Sequence, residues 1–212
     1  MENASIKKVP KGWNVYPMAS YSRSMLLNEG DCKYNHYGGI HTRFETFLDI
    51  SKETLPYVNK DMVKKFVYLE DGDIIISDTG EDYEGVGKLV EIVNIGDSKV
   101  ISGLHTLSLR PKTDELINGF KGYLFNEERV RLEFLKYMTG IKVYSISKNS
   151  LAKVFLPIPT KQEQEVIKSK LDVINNDIYS SRIKTKRLER LKKSLMQNLF
   201  TDRTRLFNSN KY

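Results

Sequence analysis

Leu156-Pro157-Ile158-Pro159-Thr160-Lys161-Gln162-Glu163 divides the chain. Two prolines in three residues cannot continue a central strand or a helix interior, so 157–160 reads as a boundary. Thr160 and Glu163 form a capping box, in which the hydroxyl and the carboxylate each satisfy an orphan backbone N–H. From Lys161 to Phe200 there is no Gly and no Pro. A helix of roughly 60 Å follows, at 1.5 Å per residue. Thr201 onward is polar and is expected to fray.

Within that helix Ile167, Leu171, Ile174 and Ile178 step by four, three and four, the seam of a coiled coil. Ser181 and Thr185 weaken it. It resumes at Leu188, Leu191, Leu195 and Leu199 with steps that suggest a change of phase. A stripe of this length needs a partner helix, because propensity alone does not hold so long a helix in water.

Upstream, residues 1–156 read as one strand-rich domain. Candidate strands are 65–69, 73–77, 88–94, 99–101 and 104–110, punctuated by Asp71-Gly72, Asp78-Thr79-Gly80 and Ile95-Gly96-Asp97. Ile74-Ile75-Ile76 is an unbroken apolar run, which predicts a strand covered on both faces. Helices do not alternate with these strands, so a curved antiparallel or mixed sheet is expected rather than a doubly wound one. Asn126, Glu127 and Glu128 signal a helix start and Gly140 its stop, with Val130, Phe134, Tyr137 and Met138 on one face. The class is α+β.

Composition narrows the function. The chain of 212 residues is 40% hydrophobic and 29% charged, a globular composition. It has no long apolar run and no apolar leader, so neither a membrane span nor a secretory signal is expected. Cys32 is the single cysteine, which excludes an internal disulfide, and a cytoplasmic location is expected. The net charge of +7 is uneven. Residues 1–160 hold 21 Lys+Arg and 21 Asp+Glu, whereas 161–212 hold 13 and 6. A basic surplus on a helix fits nucleic-acid binding and a solvated face alike.

No catalytic constellation stands out. Cys32, His36 and His41 lack a fourth ligand and regular spacing, so no metal site is expected. The stretch from Gly80 to Leu89 departs from a phosphate loop: Lys88 comes late, and Leu89 replaces the hydroxyl that would hold Mg²⁺. The carboxylates of Asp71, Asp73, Asp78, Glu81, Asp82 and Glu84 cluster in turns rather than beside a lysine on strands, which argues against a nuclease. No Asn-Pro-Pro-aromatic motif and no glycine-rich adenosylmethionine loop is present.

Four stretches, taken in order, resemble the specificity (S) subunits of type I restriction–modification enzymes. They are Tyr37-Gly38-Gly39-Ile40-His41-Thr42-Arg43-Phe44; Leu69 to Thr79 with Val86-Gly87-Lys88; Ser102 to Pro111; and Gly140 to Ser147, running through Leu156-Pro157-Ile158-Pro159 and Gln162-Glu163-Gln164 into the helix. The resemblance implies a target recognition domain that grips double-stranded DNA, followed by a spacer helix that pairs as an antiparallel coiled coil and docks methyltransferase (M) subunits. Such subunits are not enzymes. The M subunit methylates adenine with S-adenosylmethionine, so no cofactor is expected in this chain, and a restriction (R) subunit cleaves. Family members usually carry two recognition domains and two helices. Here there is one of each and no internal repeat, so a homodimer reading a symmetric, gapped site is expected, with a truncated product as the alternative. A regulatory half-subunit that pairs with another S polypeptide, or with M, is the competing function.

Asn35, His36, Tyr37, His41, Thr42 and Arg43 offer amide, imidazole, hydroxyl and guanidinium groups suited to base edges and phosphates. An ordinary polar loop has the same composition, and the resemblance sets the two readings level. Asp78, Thr79 and Tyr83 are candidates to face DNA from a turn, His105 from a strand start, and Lys142 and Tyr144 from the segment after Gly140. The alternative for these last three is a satisfied histidine, a solvated lysine and a half-buried tyrosine. The neutral balance of residues 1–160 predicts weak DNA binding by the chain alone.

Overall fold

A computed structural model describes residues 14–17, 22–24, 32–35, 46–58, 68–81, 83, 85–103 and 105–200, with 14–17, 22–24, 32–35 and 57–58 as main chain only. The strands are β1 (Asn14–Pro17), β2 (Ser22–Ser24), β3 (Cys32–Asn35), β4 (Phe47–Asp49), β5 (Tyr57–Val58), β6 (Ile74–Ser77), β7 (Thr79–Gly80), β8 (Leu89–Val93), β9 (Val100–Ser102) and β10 (Thr106–Pro111). Helices α1 (Lys121–Phe125) and α2 (Glu128–Leu135), strand β11 (Tyr144–Ser145), helix α3 (Lys148–Leu151), strand β12 (Phe155–Ile158) and helix α4 (Lys161–Phe200) complete the chain. Two units divide it, 1–168 and 169–212, so the first eight residues of α4 belong to the first unit.

The central sheet runs β2-β10-β6-β8-β4. Its pairs are antiparallel except β4 with β8, so the sheet is mixed. Strand β6 is buried along its whole length, as its apolar run predicts. Alternation then splits it between two cores. Ile74 and Ile76 pack with Leu89, Phe120, Val130, Phe134 and Leu156, while Ile75 packs with Leu48, Val90, Ile92 and Val100. A separate sheet, β5-β3-β9, pairs β3 with β9 in parallel.

Several sequence expectations need correction. The helix cap is Glu127, whose carboxylate accepts from the N–H groups of Arg129 and Val130. Asn126 instead closes α1, a short helix not foreseen, and its amide donates to the carbonyls of Gly122 (2.8 Å) and Leu89 (3.2 Å). The second helix also stops at Leu135, short of Gly140. Pro157 lies within a strand: β12 pairs with β1 in a two-stranded ribbon, with Val15 opposite Pro157. A ribbon has edges where a missing N–H is tolerated. The expected strand at 104–110 begins at Thr106, because His105 takes a left-handed backbone with φ 56°. Of the candidate at 65–69, only residues 68–69 are described, and they are not in a strand.

Buried charges hold the first unit together. Glu91, fully buried, accepts the backbone N–H groups of Gly119 and Gly122, each at 2.7 Å. Lys121 sits 3.7 Å from Glu91 and donates to Asn118 Oδ1 at 2.6 Å. Burial pushes the Glu91 carboxyl up and the Lys121 ammonium down, each pulled partly back by the other's charge. Asp73 accepts a two-pronged contact from Arg110 at 2.8 and 2.7 Å, and Asp71 accepts from the Ile95 N–H. Both carboxylates from the acidic cluster are therefore structural.

Helix α4 is one uninterrupted α-helix of 40 residues. Its capping box forms: the Thr160 N–H donates to Glu163 at 3.0 Å, and the Glu163 N–H to Thr160 Oγ1 at 3.3 Å. With no break in the helix, the apolar stripe keeps one heptad register. Ile167, Ile174, Ser181, Leu188 and Leu195 are seven apart, as are Leu171, Ile178, Thr185, Lys192 and Leu199. The apparent change of phase comes from Leu191 alone. Ile167 packs against the core of the first unit, and Leu171 and Leu199 are half-buried. Ile174, Ile178, Leu188, Leu191 and Leu195 are 42–64% exposed.

Candidate nucleic-acid interface

The chain leaves β6 at Ser77 and turns through Asp78 into β7. Three distant segments meet at that turn. The Asp78 N–H donates to the carbonyl of His105 at 3.1 Å, and the Ile146 N–H donates to the carbonyl of Asp78 at 2.8 Å. Strand β7 pairs with β11, setting Thr79 opposite Ser145 and Gly80 opposite Tyr144. The Tyr83 ring meets Tyr144 edge to face at 5.0 Å. Asp78, Thr79, Tyr83, His105 and Tyr144, spread over 67 residues of chain, thus gather at one end of the central sheet. Tyr83 and His105 are exposed there, and Asp78, Thr79 and Tyr144 half-exposed.

Lys142 belongs to an adjoining turn. Thr139 and Ser145 exchange backbone hydrogen bonds at 3.0 and 2.8 Å, which closes the loop 140–144. Gly140 has φ +127°, and a Cβ there would lie 1.9 Å from the carbonyl oxygen of Val143. Only glycine permits that closure. The turn presents Lys142 to solvent between Ile141, 91% exposed, and Val143. Sequence reasoning singled out Lys142 but passed over its two apolar neighbours, since an exposed isoleucine looks no different from a buried one in sequence.

The group is chemically varied. It offers a carboxylate, hydroxyls, an imidazole, an ammonium and two aromatic faces, a set suited to base edges, phosphates and stacking. Asp78 Oδ1 is buried and has no hydrogen-bond partner among the described residues. Beside the cluster, Thr106 Oγ1 donates to the carbonyl of Gly103 at 2.6 Å and lies 2.5 Å from Ser102 Oγ, bracing the His105 turn.

Asn35 ends β3 with its backbone paired to Ser102, three residues before His105. Its side chain, and His36, Tyr37, His41, Thr42 and Arg43, lie outside the described residues. Among the described residues no group of three or more His, Cys, Asp or Glu is placed to hold a metal ion. None of the described helices is long and apolar enough to cross a membrane.

Residues 24–193 match the family described as type I restriction modification DNA specificity domain. The type I restriction enzyme MjaVIII specificity subunit of Methanocaldococcus jannaschii is 26% identical over 99% of this chain and 50% of its own length. The MjaX counterpart from the same organism is 24% identical over 97% of this chain and 46% of its own length. The chain therefore spans about half the length of the curated relatives it matches. In fold it is similar to the HsdS subunit from Thermoanaerobacter tengcongensis, with a TM-score of 0.56 and 18% identity over 92% of this chain and 46% of that one. The type I restriction–modification S subunit from M. genitalium gives 0.55 and 15% over 93% and 48%.

Proposed function

The chain belongs to the type I restriction modification DNA specificity family, and from that premise we propose that it is a DNA-recognition subunit of a type I restriction–modification system. It carries no catalysis itself. It directs an adenine methyltransferase M subunit, and with it a restriction subunit, to a DNA sequence. The observation that carries this reading is the family match over 24–193, which takes in most of the central sheet and most of α4. The cluster around Asp78 and His105 supplies the chemistry for reading bases. The target adenine flips into the M subunit, which also holds S-adenosylmethionine.

Two copies pair through α4 as an antiparallel coiled coil and read a two-fold symmetric, gapped site. The exposed stripe and its symmetry support this arrangement. About a two-fold axis at residue 183, Leu171 faces the partner's Leu195, Ile178 faces Leu188 and Ser181 faces Thr185, because each pair is equidistant from that point. Ile174 faces Lys192, the weak layer. Charge selects the orientation. Residues 161–180 hold three Lys+Arg and four Asp+Glu, whereas 181–200 hold seven and one. Parallel helices would set the two basic halves side by side.

The same stripe also fits a second reading, a regulatory half-subunit that pairs with another S polypeptide or with M. The test is the adenine methylome of cells expressing this chain with a cognate M subunit and no other S subunit. A gapped, two-fold symmetric methylated motif is the expected result. Absence of new methylation, with an M subunit shown to be active beside a full-length S partner, would overturn base recognition in favour of the regulatory fragment.

A further inference from the structure

Nearly all the net positive charge of this protein has one address. Residues 181–200 carry a surplus of six, seven Lys+Arg against Glu189, out of a net +7 for the whole chain. Every residue from Arg182 to Lys193 is exposed. In the heptad register Lys192 falls on the seam, and Arg182 and Lys184 flank it. Lys186, Arg187, Arg190 and Lys193 fall on the side away from it. Pairing of the helix therefore leaves these four accessible.

A merely solvated helix face mixes both signs, with acids at i,i+3 and i,i+4 from bases. This one does not. Lys186 with Arg190, Arg187 with Arg190, and Arg190 with Lys193 are like charges at those spacings, each weakening the isolated helix. A ligand of dense negative charge reverses that penalty. DNA carries one charge per ~1.7 Å of its axis. The neutral balance of residues 1–160 supplies no surplus cations of its own, although phosphate neutralisation is a large share of DNA affinity.

We propose that Lys186, Arg187, Arg190 and Lys193 form a phosphate-binding ridge that holds the DNA backbone between the two half-sites without reading sequence. The inference rests on the DNA-recognition reading and adds a second, sequence-blind contact to it. In the antiparallel pair the two ridges lie on opposite outer flanks of the coil, one on either side of residue 183, each about 12 Å long at 1.5 Å per residue. Each ridge spans about three to four base pairs at ~3.4 Å.

The test replaces all four residues with Gln in the complex with M, and measures binding to its methylated-motif duplex and to a random duplex across a salt series. Four phosphates released per copy make the slope of log K against log salt shallower by about 3.6 for each copy. Affinity is expected to fall by a similar factor for both duplexes, with the motif and the mass of the complex unchanged. Lys186→Arg with Lys193→Arg should keep the wild-type slope. An unchanged slope in the Gln variant, while the wild-type complex binds DNA, overturns the ridge. Loss of M from the variant with an unchanged slope also overturns it and assigns the row to an acidic protein surface. A wild-type complex that binds no duplex would instead sink the DNA-recognition reading itself, and the ridge with it.

Discussion

Gln164 accepts the backbone N–H of Ile117 through Oε1 at 3.0 Å, joining the first turn of α4 to a loop 47 residues earlier. Its Nε2 donates to the carbonyls of Glu115 (2.7 Å) and Pro159 (3.0 Å), so both ends of the amide are used. Gln164 is the buried residue of α4, and it fixes the helix start on the domain. Gln164→Ala leaves three backbone groups unpaired and should cost about 2–4 kcal/mol of stability. Urea unfolding of the two proteins checks it; an equal midpoint would show the contacts to be replaceable by water.

Glu91→Gln keeps the shape but exchanges one acceptor for a donor, so the N–H of Gly119 or Gly122 loses its partner. The expected cost is about 1–3 kcal/mol. Burial raises the Glu91 carboxyl above its ordinary 4.5. The wild-type group therefore contributes most stability below the unfolded value and loses that contribution as pH rises through the folded value. Glutamine does not titrate, so the variant's deficit should shrink from acid to neutral pH. Denaturation at several pH values reads this out, and a growing deficit would reverse the assigned direction.

Ile174→Asp together with Ile178→Asp sets charges in the exposed stripe without touching the core of the first unit. The mass in solution should fall to that of one chain, with a dissociation constant at least roughly a hundredfold higher, about 2.8 kcal/mol. Light scattering over a concentration series decides it. An unaltered mass would overturn the proposed pairing through α4.

Tyr83→Ala with Tyr144→Ala removes the aromatic pair at the sheet end. DNA affinity of the complex with M should drop about 10–100-fold, equivalent to about 1.4–2.8 kcal/mol. Retained affinity and motif would place base reading elsewhere.

Gly140→Ala acts on the same region through the backbone. It forces a side chain onto φ +127° and against Val143, a strain of about 1–3 kcal/mol. The expected result is a changed or lost methylation motif, with far-UV circular dichroism unchanged.

The long helix was legible because its signals are local. A capping box, forty residues free of Gly and Pro, and a heptad stripe are relations between residues three to seven apart, and such relations survive in the linear chain. The buried strand at Ile74–Ile76 was legible for the same reason. Asn126 shows where local reading stops. It is a good helix cap in sequence, yet its amide is taken by Gly122 and by Leu89, 37 residues away, and Glu127 caps the helix instead. Pro157 was read as a boundary because local rules do not say that its partner would be a single strand, β1.

The candidate site divides in the same way. Sequence reading with the family resemblance placed Asp78, Thr79 and Tyr83 on one turn, His105 at a strand start, and Lys142 and Tyr144 after Gly140, three unconnected places. Only strand pairing between β7 and β11, with the hydrogen bond from Asp78 to His105, brought five of them to one place and set Lys142 on the neighbouring turn. Helix caps and heptads are fixed by neighbours along the chain. The meeting of residues 78, 105 and 144 depends on which distant strands pair and in what register, and that is decided by how the two cores fill on either face of β6.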